Sequence, residues 1–152
     1  MQKIIFVCLG NICRSPLAEA MFQHEIDCLG KSDQFYLDSC GTNGLHDGES
    51  ADSRTQRNAA KHGVKVPSIS RKIKPEDLDY FDLVLTMDKS VHERVLSLCK
   101  NEAQREKVVL FRCYDTKNPG ADVPDPWYGG EEGFEEVFHI IKENTEIWVN
   151  RL

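Results

Sequence analysis

Residues 4–16 read IIFVCLGNICRSP, and this stretch contains the pattern that decides the fold. Residues 4–7 form a continuous apolar run, rich in β-branched side chains, which is typical of a strand covered on both faces in a parallel sheet. After a short loop, Ser15 and Pro16 supply a helix N-cap residue followed by proline at the first helical position. The stretch therefore predicts a buried strand, a tight turn and a helix over about residues 16–28.

The rest of the chain repeats this alternation of strands and helices. Further strands are predicted at residues 35–39, 83–85 and 108–111, and further helices at residues 52–62, 88–98 and 131–149. Strands that alternate with helices favour right-handed crossovers between parallel strands. We therefore predict an α/β fold: a doubly wound four-stranded parallel sheet with helices on both faces, flavodoxin-like or Rossmann-like, with ligands bound beyond the carboxyl ends of the strands.

Composition narrows the class of protein further. With 152 residues, 40% of them hydrophobic, the chain suits a single domain over residues 1–152. A net charge of −6 argues against nucleic acid as a partner. The N-terminal apolar run is too short for a signal peptide, and no window approaches the roughly 20 apolar residues of a membrane span. The six cysteines lack paired spacing, which predicts free thiols and a cytoplasmic location. Of these, Cys28, Cys40, Cys99 and Cys113 are expected in the core.

The loop between the first strand and its helix carries the predicted chemistry. Cys8 and Arg14 stand at its two ends, six positions apart. Successive backbone N–H groups in such a turn form an anion nest, the helix N-terminus adds positive charge, and a guanidinium can bind two phosphate oxygens at once. The same field favours the thiolate, which makes Cys8 a candidate nucleophile. Alternatively, Cys8 ends the strand as a core residue and Arg14 is an ordinary surface charge; the strand and helix signals favour catalysis.

The remaining loop residues are candidates for contacting the bound phosphate or its leaving group. They are Leu9, Gly10, Asn11, Ile12, Cys13 and Ser15. Gly10 permits close approach of the backbone, and Asn11 tolerates the left-handed conformation that tight loops often demand. Backbone amides and Arg14 can neutralise a phosphate, so we predict no cofactor and no metal. The five histidines show no shared spacing with acidic residues, and none is given a role.

The stretch VCLGNICRSPLAEA resembles the N-terminal signature of the low-molecular-weight protein tyrosine phosphatases. The resemblance continues through DSCGT at residues 38–42, ADSR at 51–54, Met87 with Asp88, and DPWYG at 125–129, so it covers essentially the whole chain in order. It implies a hydrolase that removes phosphate from phosphotyrosine, in proteins or peptides, and from small aryl phosphates through a cysteinyl-phosphate intermediate. We expect a monomer or weak self-association.

The resemblance also assigns roles outside the loop. The Asp of its Asp-Pro motif is the general acid, here Asp125, which protonates a phenolate leaving group; alternatively the stretch is merely a turn. Trp127 and Tyr128 follow and are candidate walls for a phenyl ring, although one of them could instead anchor the loop. Leu45 stands where some relatives carry an aromatic residue.

Two further positions are compared through the resemblance. Ser39 matches a serine that supports the phosphate loop through Asn11, although it could instead bond its own backbone. Ser68 stands where many relatives carry a histidine and others a serine, so the supporting network could be wired differently.

Cys13 is a candidate for protecting Cys8 against oxidation. A low-pKa nucleophilic thiolate is open to peroxide, and Cys13 could resolve the sulfenic acid as a disulfide; alternatively it packs beneath the loop.

Two rival functions are alternatives to hydrolysis. A thiol-coupled arsenate reductase shares the fold and loop by resemblance but needs further cysteines near the third strand, and residues 81–92 contain none. A catalytically silent phosphate-binding module would be expected to lack the thiol, the arginine or the acid, and all three are present.

Overall fold

The computed structural model describes residues 1–127 and 129–152. Besides a 3₁₀ turn at Ser32–Gln34, the elements in chain order are β1 (Gln2–Cys8), α1 (Arg14–Cys28), β2 (Phe35–Gly41), α2 (Ser53–Lys61), α3 (Asp77–Tyr80), β3 (Leu83–Thr86), α4 (Lys89–Leu98), α5 (Glu102–Glu106), β4 (Val108–Leu110) and α6 (Glu131–Arg151). Within these residues the strands form one sheet in the order β2-β1-β3-β4, and every pairing is parallel. The prediction of a doubly wound four-stranded parallel sheet is therefore confirmed.

Strand β1 lies inside the sheet and is covered on both faces. Ile4 and Phe6 belong to the core cluster that includes α1, α2 and α6 side chains. The alternate residues, Ile5 and Val7, belong to the second cluster, with α3 and α4 side chains. All four are fully buried, and burial of each stabilises the fold by about 1.5–3 kcal/mol. This two-sided packing explains the continuous apolar run, since neither face of the strand meets water.

Three loops follow the carboxyl ends of neighbouring strands and lie close together. β1 ends at Cys8, its neighbour β2 ends at Gly41, and β3 leads into Asp88, which caps α4. The chain leaves β1 for β2 on one side, and β3 lies on the other side, which is the switch point where such folds bind ligands.

Several sequence predictions needed correction. The first helix begins at Arg14, so Ser15 lies inside its first turn and is not the N-cap; Cys13 holds that position. The reason is that Leu17 N already donates to Cys13 O, while the Ser15 hydroxyl faces Cys8. Helix α5 had no clear sequence signal. Cys28, expected in the core, is exposed at the last residue of α1. Within the described residues, we find no helix long and apolar enough to cross a membrane.

Candidate active site

The turn between β1 and α1 wraps around the Cys8 thiol. Asn11 N donates a hydrogen bond to Cys8 Sγ at 3.2 Å, and the Ser15 hydroxyl lies 3.0 Å from the same sulfur. Cys8 itself is only 3% exposed, at the base of the turn. The sulfur is thus held in place by a backbone N–H group and by a hydroxyl group of the same loop. It lies where an anion bound by the turn would meet it.

Asn11 holds the loop in shape from beneath. It has a φ of 57°, as expected for a tight turn, and its side chain is buried. Its Nδ2 donates to Ser15 Oγ at 2.8 Å and to Ser39 Oγ at 3.0 Å, while its Oδ1 accepts from Arg71 N at 3.0 Å. Asn11, Ser15 and Ser39 thus form a supporting network behind the sulfur and do not line the pocket.

Ser70, and not Ser68, provides hydrogen-bonding support to the loop. Ser70 Oγ donates to Gly10 O at 3.1 Å and so holds the loop carbonyl. Ser68, at the position where relatives carry histidine or serine, has a buried Oγ without a partner among the described residues. The loop is therefore fastened by Ser70, and the position of Ser68 contributes no hydrogen bond to it.

Gly41 provides the room that the loop needs. A Cβ added at Gly41 would lie 2.8 Å from Leu9 O and 3.1 Å from Asn11 N. Real Cβ atoms do not approach backbone this closely, so a larger residue would displace the loop. The end of β2 therefore contributes to the site through the absence of a side chain.

Arg14 is a buried cation with its orientation fixed. Its Nη1 donates to Asp88 Oδ2 at 2.7 Å and to Val123 O at 2.9 Å, while its Nη2 lies 3.9 Å from Asp125 Oδ2. Burial alone would lower the pKa of Arg14, but Cys8 and the Asp88 carboxylate raise it above its usual value. The guanidinium is therefore charged, and it stands beside the sulfur.

Asp125 is the carboxylate that reaches this pocket from the long loop before α6. Its side chain is 43% exposed, and its Oδ1 accepts a hydrogen bond from Trp127 N at 3.0 Å. Asp122, three residues earlier in the same loop, instead accepts from Lys89 N at 2.9 Å. That bond to Lys89 N lowers the pKa of Asp122 and turns the carboxylate toward α4.

A cavity of about 300 Å³ opens above the loop. It is lined by Cys8, Leu9, Gly10, Ile12, Cys13, Arg14, Asn43, Leu45, His46, Asp125 and Trp127. The structure thus brings together most of the residues singled out from the sequence. Tyr128 lies outside the described residues. Among the described residues, no three side chains that could ligate a metal come together in this pocket.

His46 and Asn43 were missed by sequence reasoning. The His46 ring lies 5.7 Å from the Trp127 ring, its Nδ1 pairs with Glu49, and its Cδ2 would be 3.1 Å from a Cβ at Gly10. The sequence signal for His46 was that it directly follows Leu45, whose side chain is 80% exposed at the rim of the cavity. His46 therefore forms one side of the opening of the cavity.

Cys13 lines the pocket but sits in a different environment from Cys8. Burial raises the pKa of the Cys13 thiol to about 12, and a hydrogen bond with Thr55 opposes this only in part. Its neighbours in the core are Ile12 and Phe134. Cys13 is therefore a neutral thiol at neutral pH.

Comparison with known proteins agrees with this geometry. Residues 3–152 match the family model described as low molecular weight phosphotyrosine protein phosphatase. A low molecular weight protein-tyrosine-phosphatase of Streptomyces coelicolor is 39% identical over 142 residues, covering 92% of this chain and 87% of that protein.

Solved structures extend the likeness to three dimensions. A protein tyrosine phosphatase from Entamoeba histolytica, with Hepes in its active site, superposes with a TM-score of 0.95 at 36% identity, covering 99% of this chain and 96% of the other. An arginine phosphatase, as a cysteine-to-serine mutant with a phosphorylated active-site serine, gives a TM-score of 0.89 at 26% identity, covering 99% and 95%. The chain belongs to the low-molecular-weight phosphotyrosine protein phosphatase family.

Proposed function

We propose that the chain hydrolyses phosphotyrosine in proteins or peptides, and small aryl phosphates, through a cysteinyl-phosphate intermediate on Cys8. The observation that carries this proposal is the meeting of Cys8, Arg14 and Asp125 in one cavity of about 300 Å³ at the carboxyl end of β1. A nucleophile, a cation for the phosphate and a carboxyl group for the leaving group are the three parts that such a reaction needs. Residues 1–152 act as one phosphatase domain in this proposal.

In the first step, the Cys8 thiolate attacks phosphorus and the P–O bond to the phenol breaks. The backbone N–H groups of the loop and Arg14 hold the equatorial phosphate oxygens. Because Asp88 and Val123 already engage Nη1 of Arg14, the phosphate meets the edge formed by Nε and Nη2. Asp125 gives its proton to the departing phenolic oxygen, which avoids release of a free phenolate.

In the second step, water replaces Cys8 at phosphorus. Asp125, now a carboxylate, takes a proton from the attacking water; the S–P bond breaks and its electrons return to the sulfur as thiolate. The phosphorylated active-site serine in the arginine phosphatase variant supports a covalent phosphoryl step in this fold. The network of Asn11, Ser15 and Ser39 positions the loop and the sulfur during both steps.

The walls of the pocket fit a flat aromatic leaving group. Ile12, Leu45 and Trp127 offer apolar surface around the opening, and His46 closes one side beside Trp127. An offset stack with Trp127 would orient the phenyl ring toward Asp125. Tyr128 is proposed as a further wall on the strength of the sequence alone.

Cys13 is proposed as a resolving thiol for oxidised Cys8, because both line the same pocket. Attack on the sulfenic acid requires a thiolate, so the raised pKa of Cys13, about 12, predicts slow resolution. After brief peroxide treatment, the wild-type enzyme should regain activity with dithiothreitol, whereas Cys13→Ser should regain less. Equal recovery would dismiss the role.

The remaining partner assignments rest on composition. The net charge of −6 supports a protein or small-molecule substrate and not nucleic acid. The six free cysteines are compatible with the proposed cytoplasmic location. Monomer or weak self-association remains the proposed state.

A steady-state panel of matched peptides tests the proposed function. Peptides that carry phosphotyrosine, phosphoserine or phosphoarginine at the same position should show turnover mainly with phosphotyrosine. Preference for phosphoarginine would contradict the substrate class. Absence of turnover with intact phosphate binding would favour the silent binding module, and thiol-dependent reduction of arsenate in place of hydrolysis would favour the reductase.

A further inference from the structure

Three side chains that the proposed chemistry does not use meet where α2 ends against α6. His62 is the C-cap of α2, and Glu135 and His139 stand one turn apart on α6. Over residues 1–127 and 129–152, these are the one group of three metal-ligating side chains whose ligand atoms all lie within 4.8 Å of one another. They lie outside the pocket that contains Cys8.

The Glu135 carboxylate stands at the centre of the group. Its Oε1 is hydrogen-bonded to His62 Nε2 and lies 3.4 Å from His139 Nε2. Around a tetrahedral zinc ion with bonds of about 2.0–2.1 Å, neighbouring ligand atoms are about 3.4 Å apart. Glu135 Oε1 and His139 Nε2 already have that separation. The ligand atoms of the whole group lie within 4.8 Å of one another. His139 is more than half exposed, so its side chain can rotate to bring its nitrogen closer to that of His62.

Two neighbours orient these side chains. The His62 ring stacks on Phe138 with centroids 4.0 Å apart and an interplanar angle of 15°. The buried Asn58 side chain interacts with the Glu135 carboxylate. Contacts of this kind fix the ligands of metal sites, and their loss weakens metal binding. His62 and Glu135 therefore each have a neighbour outside the cluster.

We propose that His62, Glu135 and His139 bind one divalent transition-metal ion of the zinc class, with water at the fourth position. Two imidazole nitrogens and one carboxylate oxygen suit zinc, whereas magnesium and calcium take oxygen ligands. Since its ligands come from α2 and α6, the ion joins these two helices. Because the three ligands come together only in the folded chain, binding at this site raises stability by mass action.

Binding is measured in a Cys8→Ala background, because the Cys8 thiolate would itself bind zinc. Calorimetric titration with zinc chloride at pH 7.5 should give one saturable site per chain, and magnesium chloride should give none. His139→Ala should lower the zinc affinity at least about tenfold. His24→Ala is the matched control, since His24 is also an exposed helical histidine and stands 3.9 Å from Cys28; it should leave the affinity unchanged.

The melting temperature tests the zinc site independently of phosphatase activity. Zinc should raise the melting temperature of the Cys8→Ala chain and of its His24→Ala variant, and leave that of the His139→Ala variant unchanged. His139 is exposed, so its removal should not prevent folding. The proposal is overturned if zinc shows no saturable binding, if His139→Ala binds zinc as well as its parent, or if His24→Ala abolishes the site.

Discussion

Arg14 Nη1 lies 2.7 Å from Asp88 Oδ2, and this ion pair joins the first turn of α1 to the N-cap of α4. The other oxygen of the same carboxylate accepts a hydrogen bond from Val91 N at 2.7 Å. Asp88 thus caps a helix with one oxygen and orients the guanidinium with the other. A guanidinium held in place before substrate arrives needs no reorganisation on binding phosphate.

Asp88→Asn should separate these two duties. Asparagine is as good an N-cap as aspartate, so α4 should keep its cap, whereas loss of the carboxylate beside the buried Arg14 should lower the melting temperature. The charged partner of Arg14 is lost, and a charge-assisted hydrogen bond is worth about 1.5–3 kcal/mol, so kcat/KM for an aryl phosphate should fall about tenfold to 100-fold. Unchanged kcat/KM, measured beside a thermal scan, would show that Arg14 needs no orientation by Asp88.

Gly41→Ala should damage the active site from behind. The new Cβ would clash with Leu9 O and Asn11 N, so the loop must shift, and kcat/KM should drop at least about tenfold because catalytic geometry tolerates little displacement. Gly133→Ala is the control, since a Cβ there meets nothing within 4 Å. Equal kinetics for the two variants would contradict the close approach of β2 to the loop.

Glu19 predicts a specific dependence of stability on pH. Burial raises its pKa from 4.5 to about 7, and a hydrogen bond with Ser39 offsets this only in part. Between these two pH values the folded chain holds a proton that the unfolded chain has released, so the contribution of Glu19 to stability falls as pH rises from about 4.5 to 7.

Glu19→Gln removes this ionisation while keeping the shape of the side chain. The variant should melt a few degrees above wild type at pH 8, where about 1 kcal/mol corresponds to roughly 2–4 °C, and show no such gain at pH 4. The measurement is a pair of melting curves at each pH. A constant difference between the two proteins across this range would contradict the raised pKa.

The tight loop between β1 and α1 could be predicted from the sequence because its parts are neighbours in the chain. Cys8, Asn11 and Arg14 stand in one short turn, and the left-handed backbone of Asn11 followed from its residue type. The start of α1 was predicted wrongly, because Ser15 and Pro16 are typical of an N-cap and a first helical position, whereas Leu17 N already donates to Cys13 O and the helix begins at Arg14.

Contacts between distant parts of the chain could not be predicted in this way. Asp88 is 74 residues from Arg14, and its pairing with Arg14 depends on how β3 and α4 lie beside β1. The same applies to His62 and Glu135, 73 residues apart, whereas the spacing of Glu135 and His139 along α6 was visible in the sequence. Packing decides these relationships, and the local pattern does not encode them.

Asp125→Ala should change how the first step depends on the leaving group. Without the proton donor, the leaving oxygen departs as phenolate, so burst-phase rates across substituted aryl phosphates should depend steeply on leaving-group pKa. In wild type the dependence should be shallow. Asp122→Ala serves as the control and should resemble wild type, because Asp122 is engaged by Lys89. Parallel slopes for wild type and Asp125→Ala would mean that Asp125 is not the acid.

In the proposed reaction, every phosphoryl group is transferred to Cys8 before water releases it. Wild-type enzyme turning over p-nitrophenyl phosphate is quenched within milliseconds, digested and examined by mass spectrometry, with Cys8→Ala treated in parallel. We expect one phosphoryl group on the peptide that contains Cys8 in wild type, and neither label nor turnover in Cys8→Ala. A phosphoryl group on another residue, or turnover that survives in Cys8→Ala, would contradict the account.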